Sequence, residues 1–109
     1  MENRFEVVML QGVIDFFENI EEKARDKIIF NIHKARKIND HKLFKKLTGE
    51  IWEFRTLYNK KQYRLFAFWD KTNSKKTIVV ATHGIIKKTK KIPSKEVAKA
   101  IEIMRKFYS

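Results

Sequence analysis

Three runs in the second half of the chain constrain its architecture more than anything else in it. Residues 50–58, 62–69 and 77–86 are each dense in aromatic and β-branched side chains, the kind that pack well on a pleated, half-buried surface. Asn59-Lys60-Lys61 separates the first two runs, and residues 70–76 separate the second from the third. Turns this short join antiparallel neighbours, because parallel pairing needs a crossover of a dozen or more residues. The expected frame is an antiparallel sheet.

The flanking segments supply helices to cover it. Residues 4–10 read as a short first strand, interrupted by Gln11 and Gly12. Val13, Phe16, Phe17 and Ile20 recur at helical spacing over residues 13–20. A second helix is predicted over 22–38, with a stripe of Ala24, Ile28, Ile32 and Ala35 broadened by Ile29. Its closing Lys34, Arg36 and Lys37 suit the negative end of the helix dipole, and Asn39-Asp40 favours a turn. Residues 41–49 read as a basic connector. Pro93-Ser94 opens a last helix, with Ser94 the expected N-cap and Val97, Ile101, Met104 and Tyr108 on one face. Strand, two helices, three strands and a helix make an α+β fold: an antiparallel sheet with two N-terminal helices and one C-terminal helix, the helices packed on one side. The 109 residues suit one domain spanning 1–109.

Composition narrows the class. Nine Phe, two Trp and three Tyr within a 43% hydrophobic chain can build a core, so disorder is not expected. There is no Cys to staple a secreted fold, no secretory leader pattern and no apolar run near the length of a membrane span. A cytoplasmic setting without membrane partners is the expectation. The net charge is +12, unevenly placed. Residues 1–26 hold seven acids and three bases; residues 27–109 hold six acids and twenty-two bases. Such asymmetry points to a surface that seeks phosphate, with bulk solubility as the plainer explanation.

Several chemistries lack their residues. His33, His41 and His83 are scattered and there is no Cys, so no zinc pattern exists. Three isolated glycines cradle no phosphate, no Gly-x-Ser-x-Gly elbow is present, and acids are too sparse in the basic half for a two-metal nuclease. Neither metal nor cofactor is expected. Metal-independent RNA cleavage needs cations to stabilise the transferring phosphate, and proton donors and acceptors. Arg55, Arg64 and His83 offer such groups on neighbouring strands. Alternation places Ile51, Glu53 and Arg55 on one face and Trp52 and Phe54 on the other, and groups Arg64 with Phe66 and Phe68. The plainer reading of each Arg is a place at the border of the core or a pairing with Glu50 or Glu53, and that of His83 a structural role. The run Lys87-Lys88-Thr89-Lys90-Lys91 is either a solvated loop or a phosphate-binding one. Tyr58, Phe66 and Phe68 are candidates for stacking on bases, with core packing the competing role for Phe68 and Trp69.

Three strings in order carry a likeness: Leu47-Thr48-Gly49-x-Ile51-Trp52-Glu53-Phe54-Arg55, then Tyr63-Arg64-Leu65-Phe66, then His83-Gly84-Ile85-Ile86-Lys87-Lys88-Thr89-x-Lys91-x-Pro93. With Ala100 in the closing helix, the chain resembles the RelE/ParE toxin superfamily, in its HigB-type branch related to phage Gp49 proteins. The resemblance implies the toxin of a type II toxin–antitoxin system, a ribosome-dependent mRNA endonuclease that inhibits translation. It implies catalytic roles for Arg55, Arg64 and His83, and RNA or phosphate binding by Lys45, Lys46, Lys87, Lys88 and Lys91. It implies mRNA and the ribosome as partners, with a cognate antitoxin that carries a helix-turn-helix DNA-binding domain. No catalytic tail of the kind some relatives carry is expected after Ser109, and the general base is unassigned. A ParE-like gyrase poison and a non-catalytic nucleic-acid-binding module are the alternatives.

Overall fold

The computed structural model describes residues 2–72 and 77–109. Its elements run β1 (Glu6–Met9), α1 (Gln11–Glu18), α2 (Glu22–Lys37), β2 (Phe44–Thr48), β3 (Ile51–Tyr58), β4 (Lys61–Asp70), β5 (Ile78–Lys87) and α3 (Ser94–Tyr108). The five strands form one sheet in the order β1-β5-β4-β3-β2. The pairs β2–β3, β3–β4 and β4–β5 are antiparallel, as the short turns dictate. The last part of the turn before β5, residues 73–76, lies outside the described residues.

Four features depart from expectation. First, β1 pairs with β5 in parallel, so the sheet is mixed. The whole intervening chain serves as the long connection that parallel pairing requires. Two arginines hold this edge to the end of α2: Arg36 donates to the Phe5 carbonyl and pairs with Glu6, while Arg4 donates to the Ala35 carbonyl. Second, the basic connector contains a strand. Phe44 of β2 is buried, with its ring centroid 4.3 Å from that of Phe54 and 5.0 Å from that of Trp52. That aromatic sandwich holds the edge strand although lysines surround it. Third, the helices cover both faces. The stripe of α2 packs with Val13, Phe54, Tyr63, Leu65, Val79 and Ala81 on one side. Ala100, Val97, Ile101 and Met104 of α3 pack with Ile51 and Phe66 on the other. Fourth, Ser94 is the first residue of α3 rather than its cap; Pro93 occupies the cap position and makes no side-chain hydrogen bond.

One irregularity aims β5. The β4–β5 register shifts between Phe66, opposite His83, and Ala67, opposite Ala81, which leaves Thr82 as an extra residue. Before it, Val79 and Ala81 face α1 and α2; beyond it, Ile86 does, while Ile85 faces α3. A one-residue bulge exchanges the faces of everything downstream. His83, Ile85 and Lys87 therefore share the α3 side with Arg55 and Arg64.

The close fit of α1 on this strand depends on Gly12. A Cβ there would meet the Thr82 carbonyl oxygen, a backbone atom that cannot swing aside as a flexible side chain could. Gly12→Ala should destabilise the fold by about 2 kcal/mol, the cost of overpacking a filled interface. Gly49→Ala, where φ is +56° but nothing lies within 4 Å of the new methyl, should cost about half as much. Thermal unfolding of the two variants checks the order.

Candidate nucleic-acid interface

The α3 side of the sheet carries an ionic cluster at its centre. The register places Arg55 of β3 directly opposite Arg64 of β4. Like charges across a ladder repel, and Glu53 offsets them. Its Oε1 lies 2.9 Å from Arg64 Nε and 3.8 Å from Arg55 Nε. Neither Nε makes a hydrogen bond of proper angle, so the contacts are ionic. Arg64 donates its terminal nitrogens to the Tyr63 carbonyl at 3.1 Å and to Gln62 Oε1 at 2.6 Å. Its side chain is 3% exposed, whereas that of Arg55 is 30% exposed. Burial, and after it the neighbouring Arg55, pulls Arg64 below the ordinary arginine pKa, with Glu53 opposing both. Two guanidiniums face one carboxylate, so the cluster keeps one surplus positive charge, and its accessible end is Arg55.

Arg55 stands where three surface depressions meet. A groove of about 620 Å³ runs from Lys45 and Arg55 past Lys87, Lys90 and Lys91 to an apolar wall of Leu47, Ile92, Val97 and Ile101. A depression of about 540 Å³ joins Arg55 to Lys60, Gln62, Lys87, Lys88 and Lys90. A third, smaller one holds Lys42, Leu57 and the rim of Arg64. Cations dominate the lining of the second and form one side of the first, opposite its apolar wall; Glu53 is their one acid, already engaged by the arginines.

The candidates from sequence thus divide. Lys45, Arg55, Lys87, Lys88 and Lys91 line the connected grooves. Lys46 does not; it sits opposite Trp52 on the other face, one residue out of phase with Lys45. Arg64 lies beneath Arg55. His83 is 3% exposed, stacked on Phe66 at 4.8 Å. Its Nε2 lies 3.1 Å from Glu96 Oε1 and its Nδ1 2.9 Å from the Thr82 hydroxyl, so both ring nitrogens are occupied by protein. Phe66 and Phe68 are wholly buried, and no aromatic residue lines the two basic depressions. Lys90, part of the basic run read from the sequence, lines both depressions; sequence reasoning missed Lys60 as a lining residue, and the apolar wall of α3. The tight Asn59-Lys60 turn was the available signal for Lys60.

Residues 15–105, most of the chain, match the family described as phage-derived protein Gp49-like. The chain belongs to the Gp49-like family. That family is associated with RelE/HigB-type toxins. No curated protein is significantly similar to this Gp49-like chain. Among its described residues, no helix is long and apolar enough to cross a membrane.

Two measurements follow from the buried groups of this Gp49-like domain. Arg64→Ala leaves the buried Glu53 with only its longer, 3.8 Å contact to Arg55 and should cost about 2–3 kcal/mol, near 10 °C in Tm. Replacing both partners, Glu53→Leu with Arg64→Met, should recover most of that loss, since a buried pair is replaceable by apolar groups of similar volume. The pKa of His83 is lowered from 6.5, by burial first, with the Glu96 hydrogen bond opposing and Lys99 adding to the fall. The unfolded chain therefore takes up this proton first as pH drops through 6.5. Stability should be full above that value and decline below it. Between about pH 7.5 and pH 5.5, His83→Gln should show a flatter Tm profile than the parent.

Proposed function

We propose that this chain is the toxin of a type II toxin–antitoxin pair and acts as a ribosome-dependent endonuclease on mRNA. The observation that carries the reading is the position of Arg55, the accessible end of a cluster with one surplus positive charge, at the meeting point of two lysine-lined depressions. The Gp49-like family's association with RelE/HigB-type toxins supports it. A single-stranded backbone laid through both depressions brings a phosphodiester to Arg55. The adjacent 2′-hydroxyl attacks phosphorus and loses its proton, the bond to the 5′ oxygen breaks, and that oxygen gains a proton. A 2′,3′-cyclic phosphate and a 5′-hydroxyl result. Arg55 donates to the non-bridging oxygens, whose charge grows in the transition state, and Lys87 and Lys90 add to the field. Glu53, itself paired with Arg64, holds the Arg55 guanidinium in place. His83, with both nitrogens engaged, ties α3 to β5. The ribosome contributes by aligning the 2′-oxygen with the scissile bond, an effect large enough to serve a small enzyme with few catalytic groups. A cognate antitoxin with a helix-turn-helix DNA-binding domain completes the proposal.

Arg55→Ala decides it more cleanly than any change at Arg64, because Arg55 is partly exposed and its loss leaves Glu53 paired with Arg64. The variant should melt within a few degrees of the parent and cut mRNA about 100-fold more slowly. Primer extension on mRNA from induced cells reads the cuts, and growth arrest should be relieved. Cleavage at the parent's rate by a folded Arg55→Ala protein would refute the assignment. DNA breaks with intact mRNA would replace it with gyrase poisoning.

A further inference from the structure

The hairpin between β3 and β4 is closed by two residues, Asn59 and Lys60, between the paired Tyr58 and Lys61. Both have positive φ, 50° for Asn59 and 65° for Lys60. This is the turn whose twist matches the flanking strands, and its usual sequence is Asn-Gly. Asn59 fits the left-handed region because its short polar side chain tolerates it. Lys60 occupies the position where glycine belongs, and its Cβ is held against the following carbonyl. Its side chain enters the depression with Arg55, Gln62, Lys87, Lys88 and Lys90, which no carboxylate lines. Lysines around one depression also repel one another in the absence of an anion. Turn strain and charge crowding coincide at one residue, and both are relieved or offset if an anion is bound there.

From this we infer that the Lys60 depression is a second phosphate subsite, which holds a phosphodiester of single-stranded RNA next to the one at Arg55. The inference rests on the RNA-cleaving reading and adds to it a specific subsite and the direction in which the strand continues. The strand leaves Arg55 toward the β3–β4 hairpin, and Lys60 is the residue that fixes its path. Backbone strain kept at a functional position is a recurring trade in proteins.

The trade predicts effects of opposite sign from one substitution. Lys60→Gly should raise Tm by roughly 2–5 °C, since glycine is at ease with positive φ and one repelling charge is gone. It should also weaken binding of a labelled single-stranded 12-nucleotide RNA about three- to tenfold at low salt. The diagnostic readout is the slope of log affinity against log salt, which should fall by about 0.7 for the loss of one phosphate contact on a single strand. A merely structural role for Lys60 does not move that slope. Lys60→Arg should retain the slope, and Lys60→Asn should lose it while keeping the turn. An unchanged slope in Lys60→Gly, alongside a reduced slope in Arg55→Ala, overturns the subsite and leaves the RNA-cleaving reading standing. A lower Tm in Lys60→Gly overturns the claim that the turn is strained for the sake of the site. If neither Lys60→Gly nor Arg55→Ala alters the slope, the RNA-binding face itself has been misassigned.

Discussion

The extra residue at Thr82 is the constraint on which the rest of this structure depends. A strand without it would keep one parity from Val79 to Lys87, and His83, Ile85 and Lys87 would share a face with Val79 and Ala81. That face belongs to α1 and α2. With the bulge, β5 serves two cores in turn: Val79 and Ala81 pack on one side, Ile86 returns to it, and Ile85 fills the space under α3. The same shift delivers Lys87 to the groove that Arg55 occupies. The defect is fastened in place, because Thr82 is fully buried and its hydroxyl lies 2.9 Å from His83 Nδ1. His83 then reaches Glu96 and fixes the first turn of α3. A single backbone irregularity thus sets the packing of a helix and the composition of a binding face.

The cluster of Arg55, Glu53 and Arg64 sits on β3 and β4, whose mutual register is unbroken. A buried charge is costly unless it is paired and hydrogen-bonded. Arg64 meets that condition through Glu53, the Tyr63 carbonyl and Gln62. Arg55 meets it less well: its contact to Glu53 is 3.8 Å against 2.9 Å for Arg64, and the two hydrogen bonds donated by terminal nitrogens belong to Arg64. The imbalance is directional. The arginine deeper in the fold is satisfied by protein, and the one nearer solvent is left with donors to spare. An arrangement of this kind is preorganised for an anion, since the guanidinium is held before the ligand arrives and little reorganisation remains.

Sequence made the antiparallel core legible because its cause is local: short turns between strand-like runs leave few other pairings. The alternation that grouped Glu53 with Arg55, and Arg64 with Phe66, held because neither strand is bulged between those residues. What escaped was set by contacts distant in sequence. The strand in the basic connector exists because Phe44 finds Trp52 and Phe54, and five residues with two adjacent lysines do not announce that. The parallel β1–β5 pair joins the two most remote strands. Phe66 reads as a stacking platform or as core, and Phe68 better as core, until α3 is known to lie on them. Lys45 and Lys46 looked alike as a basic pair, yet a strand must send them to opposite faces, and recognising the strand was the missing step.

The charge split along the chain acquires a spatial meaning in the fold. The acid-rich first 26 residues build β1, α1 and the start of α2, on the edge and face away from α3. The lysines of the groove come from β2, β5 and the segment before α3. The sheet therefore stands between a less positive face and a strongly positive one. For a polyanion this is an orienting field: approach is favoured from the groove side before any contact forms. Screening limits its reach to about 8 Å at physiological salt, so the field orients an encounter and does not select a sequence. Selection has to come from close contacts, and the groove has two kinds of wall for them, ammonium groups on one side and Leu47, Ile92, Val97 and Ile101 on the other. On the RNA-cleaving proposal, phosphates would satisfy the first wall. The second is apolar and has no aromatic ring to stack upon, so any preference among bases must arise from shape and desolvation, which discriminate less sharply than hydrogen bonds to base edges.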